Sequence, residues 1–155
     1  MKLINKEKKI ELEIEDTLLD KLSSIALQHY PNEFGGFLIG YYASNFKSLI
    51  ITDYILPNKY KSDRYLFERS TNGIEKKLKK LFTNTKQQYY VGEWHTHPDG
   101  SINYSTTDLK AMNNIVESNS IRIENPILLI ISVGINKTND YGFYIFNNNK
   151  LLKYE

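Results

Sequence analysis

The segment Trp94-His95-Thr96-His97-Pro98 ends a run, residues 89–94, rich in the aromatic and β-branched side chains of a strand. Ser105 then starts a helical pattern that carries Leu109, Met112 and Val116 on one side. The chain must therefore leave a strand, cross a short loop through Pro98, Asp99, Gly100 and Asn103, and enter a helix, with its polar residues gathered at that junction. Side chains two apart on an extended backbone point the same way, so His95 and His97 share a face and Thr96 turns from it. Ser105 suits the N-cap, and Asp108 falls at the third helical position, where a carboxylate completes a capping-box-like start.

The flanking pattern predicts one mixed α/β (α+β) domain over residues 1–155, a β-sheet flanked by helices. Residues 10–14 alternate apolar and charged side chains, as a half-buried strand does. Asp16 or Thr17 then suits the cap of a helix bearing Leu18, Leu22, Ile25 and Ala26, which Pro31 ends. Residues 37–42 and 49–56 are expected as adjacent strands joined by a hairpin connection over 43–47, with Pro57-Asn58 as the stop. A short strand near residues 65–67 and a helix over 72–83 should follow. Residues 128–133 and 141–146 are two more expected strands, separated by a polar turn at 136–140.

Composition narrows the function. The 155 residues contain no cysteine, which removes disulfides, thiolate nucleophiles and sulfur-ligated metals. No apolar run approaches the roughly 20 residues of a membrane-crossing helix, so cytoplasmic residence without membrane association is expected. The 20 basic and 18 acidic residues nearly balance, at a net charge of +2, and no nucleic-acid partner is expected. The densest basic cluster, Lys76-Lys77 and Lys79-Lys80, alternates with Ile74, Leu78, Leu81 and Phe82 at helical spacing. It suits a solvated helix face, with contact to a polyanion or an acidic protein as the functional alternative.

Two imidazoles and one carboxylate leave a fourth tetrahedral position open, the arrangement of a catalytic zinc site. The same donors also suit iron or nickel, and a pair of ordinary core or surface histidines is the bland alternative. Zinc polarises a carbonyl and lowers the pKa of water, and a separate base is still useful. Glu33, in Glu33-Phe34-Gly35-Gly36, is the best candidate. The Ser105 hydroxyl either caps the helix or donates to the oxygen that becomes negative in a tetrahedral intermediate. Gly35-Gly36 permits close backbone approach or simply starts a strand. Trp94 suits a packed strand position, and His29 a polar helix end outside the metal set.

These residues resemble the JAMM metalloproteases, the catalytic MPN or Mov34/PAD-1 domain. The family pattern is Glu, a long interval, His-(Ser/Thr)-His-Pro, seven residues to a serine, then two residues to an aspartate. Here Glu33, His95-Thr96-His97-Pro98 and Ser105-Thr106-Thr107-Asp108 match it throughout. The resemblance implies a mixed sheet sandwiched by helices, with cytidine-deaminase-like layering. It implies Glu33 as general acid/base, His95, His97 and Asp108 as Zn2+ ligands, and Ser105 as stabiliser of the tetrahedral intermediate.

Members of that family hydrolyse isopeptide or peptide bonds after the C-terminus of ubiquitin or a ubiquitin-like protein. The text Val91-Gly92-Glu93-Trp94-His95-Thr96-His97-Pro98 in so short a chain resembles the compact bacterial deconjugating peptidases of CBASS anti-phage systems. That branch implies a ubiquitin-like or conjugated protein partner, such as a nucleotide cyclase. Processing of a sulfur-carrier precursor and a noncatalytic MPN scaffold are the alternatives. The DNA-repair-associated RadC branch is disfavoured by Pro98-Asp99-Gly100-Ser101 and by the near-neutral charge. A substrate tail is expected to lie extended beside a sheet edge, where main-chain pairing aligns its terminal glycines.

Overall fold

The computed structural model describes residues 1–43, 46–83, 87–118 and 122–155. In chain order the elements are β1 (Lys2–Asn5), β2 (Ile10–Ile14), α1 (Asp16–His29), β3 (Gly35–Tyr42), β4 (Ser48–Ile55), β5 (Tyr60–Asp63), β6 (Leu66–Arg69), α2 (Ile74–Phe82), β7 (Tyr89–Pro98), α3 (Thr106–Glu117), β8 (Ile127–Gly134), β9 (Lys137–Asn147) and β10 (Lys150–Lys153). Eight strands form one mixed sheet in the order β1-β2-β4-β3-β7-β8-β9-β10, and β5 and β6 form a separate hairpin. The β2–β4 and β7–β8 pairs are parallel and the remaining pairs antiparallel.

Apolar residues cover both faces of the sheet, which explains the five consecutive apolar residues 127–131 that open β8. On one face α1 buries Leu18, Leu19, Leu22 and Ala26 against Leu12, Leu38, Trp94 and Leu129. On the other, Ile74 of α2 and Met112 and Ile115 of α3 join Phe37, Tyr90, Leu128 and Ile130. The expected mixed sheet flanked by helices is thus the observed one, with three helices among the described residues.

A bulge decides which face the histidines use. Val91 and Trp94 belong to the α1-side core and Tyr90 to the other, although strict alternation would set Tyr90 and Trp94 on one side. The β3–β7 register slips between Leu38 and Ile39, opposite Gly92, and resets the phase. Gly92 permits this because a Cβ there would lie 2.0 Å from the Ile127 carbonyl oxygen. Beyond the slip, His95 and His97 face the α3 side while Thr96 is wholly buried beneath.

Two expectations need correction. The cap of α1 is Glu15, in extended conformation and without a side-chain cap bond; Asp16 and Thr17 already lie inside the helix. The polar turn at 136–140 shrinks to residues 135 and 136, with Asn136 at φ 60°, and β9 already begins at Lys137. Pairing with β8 overrides the poor strand propensity of Asn139 and Asp140, and a second register slip, between Ser132 and Val133, absorbs the mismatch. β1, β5 and β10 are strands that the pattern did not predict. In the hairpin connection expected over 43–47, residues 44 and 45 lie outside the described residues.

Candidate metal centre

β7 continues through the histidine pair to Pro98, and α3 begins beside it at Thr106. The Nε2 atoms of His95 and His97 lie 3.1 Å apart. Asp108 Oδ1 is 3.1 Å from His95 Nε2, and Asp108 Oδ2 is 3.6 Å from His97 Nε2. Donors about 2.0–2.1 Å from one tetrahedral ion stand about 3.3–3.4 Å from each other, so this set has the spacing of three ligands of a single cation. The tautomer also fits. His97 Nδ1 lies 2.8 Å from the Ser101 carbonyl oxygen, which can only accept, so Nδ1 carries the proton and Nε2 keeps its lone pair for a cation.

Ser105 is the N-cap of α3, and its bonds form a complete capping box. Asp108 N–H donates to Ser105 Oγ at 3.1 Å, while Ser105 N–H and Oγ–H donate to Asp108 Oδ2 at 2.6 and 2.8 Å. The box therefore orients the candidate ligand and leaves Oδ1 toward His95. Burial acts to raise the Asp108 pKa, but the two neighbouring imidazoles, with the Ser105 backbone N–H, hold the carboxyl far below the usual carboxylate range. Burial acts to lower the His97 pKa, and the nearby Asp108 carboxylate together with the bond to the Ser101 carbonyl outweighs that and raises it.

Glu33 lines the same cleft as His95 and Asp108, half-buried, just before β3. Burial raises its pKa, and the two imidazoles pull against that shift. Its backbone is held from two directions. Glu33 N–H donates to the Asp63 carbonyl at 2.8 Å, and Ser62 Oγ donates to the Glu33 carbonyl at 2.6 Å, both from β5. The next residue, Phe34, donates its N–H to Thr96 Oγ1 at 2.9 Å and accepts from Thr96 N–H at 2.8 Å. The turned-away Thr96 thus ties the Glu33 segment to the strand of the histidines. Gly35 makes room, since a Cβ there would lie 2.1 Å from the Trp94 carbonyl oxygen.

Thr96 and Ser62 were missed as site-building residues. A hydroxyl between two histidines was a usable signal for Thr96; nothing in the sequence singles out Ser62. Trp94 is 1% exposed in the core. His29 ends α1, bonds the Ile25 carbonyl through Nδ1 at 2.9 Å and stacks on Phe34 at 3.6 Å, outside the ligand set.

The centre lies at one end of a groove of about 590 Å³. Five consecutive residues, Tyr65 to Arg69, form one wall, as a strand edge rather than a strand face would. Residues of α3 from Thr107 to Ile115, with the C-cap Ser118, form the other, and Glu93 and Leu128 lie on the floor. Glu93 pins the hairpin to the sheet: Arg69 Nε donates to both of its oxygens at 3.0 and 3.1 Å, and Tyr90 OH adds a 3.2 Å bond. At the hairpin tip, Arg64 and Tyr30 both donate to Asp99.

A mixed sheet carrying two histidines at a strand end, an aspartate in a helix cap and a glutamate beside them defines a metal-binding hydrolase-like domain. Residues 15–144 match the family described as prokaryotic homologs of the JAB domain, and the chain belongs to that family. A protein of Enterobacter hormaechei subsp. hoffmannii (strain UCI 50) named CD-NTase/cGAS isopeptidase is 29% identical over 119 residues, 76% of this chain and 65% of that protein. The chain thus spans just under two thirds of that relative's length. The solution structure of a protein from Desulfitobacterium hafniense superposes with a TM-score of 0.69 at 16% identity, over 92% of this chain and 88% of that one, a likeness of fold. Among the described residues no helix is long and apolar enough to cross a membrane.

Proposed function

We propose that this chain is a zinc-dependent isopeptidase that hydrolyses the bond after the C-terminal glycine of a ubiquitin-like protein or of a conjugated bacterial protein. The single observation that carries this reading is the placing of Glu33 and the three-donor cluster together at one end of a groove walled by a strand edge. The name of the Enterobacter hormaechei relative makes a CD-NTase the leading candidate for the conjugated target.

His95, His97 and Asp108 hold the cation, which when bound polarises a carbonyl and lowers the pKa of water. β6 pairs only with β5 among the described residues, so its second edge can align an extended tail by main-chain bonds. Along α3 and its C-cap the groove spans ten residue-to-residue rises from Asp108 to Ser118, or about 15 Å, enough for four to five extended tail residues at about 3.3 Å each. Glu33 takes a proton from the attacking water and delivers it to the departing amine as the carbon–nitrogen bond breaks. The Ser105 hydroxyl has one proton, directed at Asp108 in the resting arrangement. It stabilises the developing oxyanion by turning that proton to the substrate.

The test is cleavage of conjugates and C-terminally extended precursors of ubiquitin-like proteins from the chain's own genome neighbourhood, read by mass spectrometry. Zinc-loaded protein should release a partner ending in a free glycine carboxylate, and Glu33→Gln should not. Cleavage of sulfur-carrier precursors alone would reassign the substrate. Binding without cleavage of either class would make the chain a scaffold.

A further inference from the structure

The lysine-rich face of α2 has no use in the site as described. Lys76, Lys77, Lys79 and Lys80 are all exposed, while Ile74, Leu78 and Leu81 turn into the core beside Ile115 and Tyr90. Among the described residues no ion pair involves any of the four. Lys77 Nζ reaches only Asn58 Oδ1, at 3.4 Å. The pairs Lys76–Lys79, Lys76–Lys80 and Lys77–Lys80 stand at the spacings where like charges oppose a helix, and Glu75 is spaced to offset Lys79. The fold thus bears a net positive face, four lysines against Glu75, on a nine-residue helix.

Its position gives that face a use. The two walls and the floor of the groove run in one direction from the metal centre, along β6 to Arg69 and Thr71, along α3 to the Ser118 that follows it, and back along β7 to Glu93. Residues 70–73 then lead from β6 into α2, whose first residue, Ile74, packs in one cluster with Ile115, one turn before Ser118. α2 therefore stands at the mouth of the groove remote from the metal. A tail whose scissile carbonyl lies beside Glu33 fills the groove with its last four to five residues, and its upstream residues emerge there.

We propose that the lysine face of α2 docks carboxylates of the protein substrate immediately upstream of the tail held in the groove. This rests on the isopeptidase reading and adds a charge preference to it: substrates acidic just before the tail are favoured. The patch is confined to one short helix on a chain of net charge +2, which suits a local acidic protein surface better than an extended polyanion.

The probes are three fluorescent peptides sharing one Gly-Gly tail whose last carbonyl is joined by an amide bond to a leaving amine, extended upstream of the tail by an acidic, a neutral or a basic segment. Binding to zinc-loaded Glu33→Gln protein is read by anisotropy, so a peptide that is not cut still reports, and hydrolysis is followed with the unaltered chain. At low salt the acidic peptide should bind about tenfold more tightly than the neutral one and the basic peptide more weakly, with the difference fading as salt rises. Lys76→Glu combined with Lys77→Glu, Lys79→Glu and Lys80→Glu should invert the order, with circular dichroism confirming that the variant is folded. Equal affinity of all three peptides for the unaltered helix would overturn the charge preference and leave the isopeptidase reading intact. Failure of every peptide to bind or be cut would sink both. An oligonucleotide that displaces the acidic peptide and binds more tightly would reassign the face to nucleic acid.

Discussion

The two halves of the candidate centre are built by different means. His95, His97 and Asp108 come from one strand–loop–helix segment and are braced within it, by the Ser101 carbonyl on His97 and the Ser105 box on Asp108. Neighbouring β8 steadies the loop: Asp99 N–H donates to the Val133 carbonyl at 2.7 Å, and Ser132 Oγ donates to the Gly100 carbonyl at 2.5 Å. Glu33 is instead placed by borrowed bonds, from Ser62 and Asp63 on the β5–β6 hairpin and, through Phe34, from Thr96 on β7. Damage to the first half should appear as lost metal. Damage to the second should appear as lost turnover at full metal occupancy.

The sharpest break is in the ligand half. Asp108→Ala or His97→Ala should lower zinc content, measured by inductively coupled plasma mass spectrometry, and bring hydrolysis to background; a chelator should do the same to the unaltered chain, with zinc restoring activity. Full zinc occupancy in either variant would remove that residue from the ligand set. Next comes Glu33→Gln, expected to keep zinc and melting temperature while turnover falls about 10²- to 10⁴-fold. A folded variant turning over at the normal rate would exclude Glu33 as the base.

Ser105 straddles the comparison. Loss of the cap in Ser105→Ala should cost about 0.5–2 kcal/mol by denaturant unfolding. If the hydroxyl also serves the oxyanion, turnover of the fully folded, zinc-loaded variant should fall about 10²- to 10³-fold. An effect on stability alone would restrict Ser105 to holding Asp108. The smallest effect on turnover is expected at Thr96, whose substitution by valine leaves the Phe34 N–H unpaired in the core at a cost of about 1–3 kcal/mol. Zinc content and KM should hold while kcat drops several-fold, and Thr96→Ser should recover it. A rise in KM at constant kcat would contradict positioning through Glu33.

Strongly patterned elements were legible in the sequence and short edge elements were not. β7, α3 and the cap at Ser105 followed from periodicity and from the chemistry of one turn. β10 left a faint signal: the turn before it uses Asn148 and Asn149, at φ 49° and 59°, a conformation asparagine tolerates better than most residues. β1 and β5 contain only four residues each, too few for alternation to stand out, and exist as strands because a partner strand completes their hydrogen bonds. The turn expected at 136–140 failed for the same reason in reverse. Its polar residues favour a turn locally, and pairing with β8 extends them into a strand.

By itself the sequence determined that His95 and His97 share a face and that Asp108 sits in the first turn of the next helix, where it can supply a third donor. Each of those facts depends on strand alternation or helix capping within a few residues. Only the tertiary structure decided which face they use, through the register slip at Gly92, and what stands opposite them. Glu33 reaches the centre because Gly35 lets two backbones meet, and the groove exists because the Arg69–Glu93 pair fastens a separate hairpin over the sheet. Such placements depend on contacts between residues far apart in the chain, for which local periodicity carries no signal.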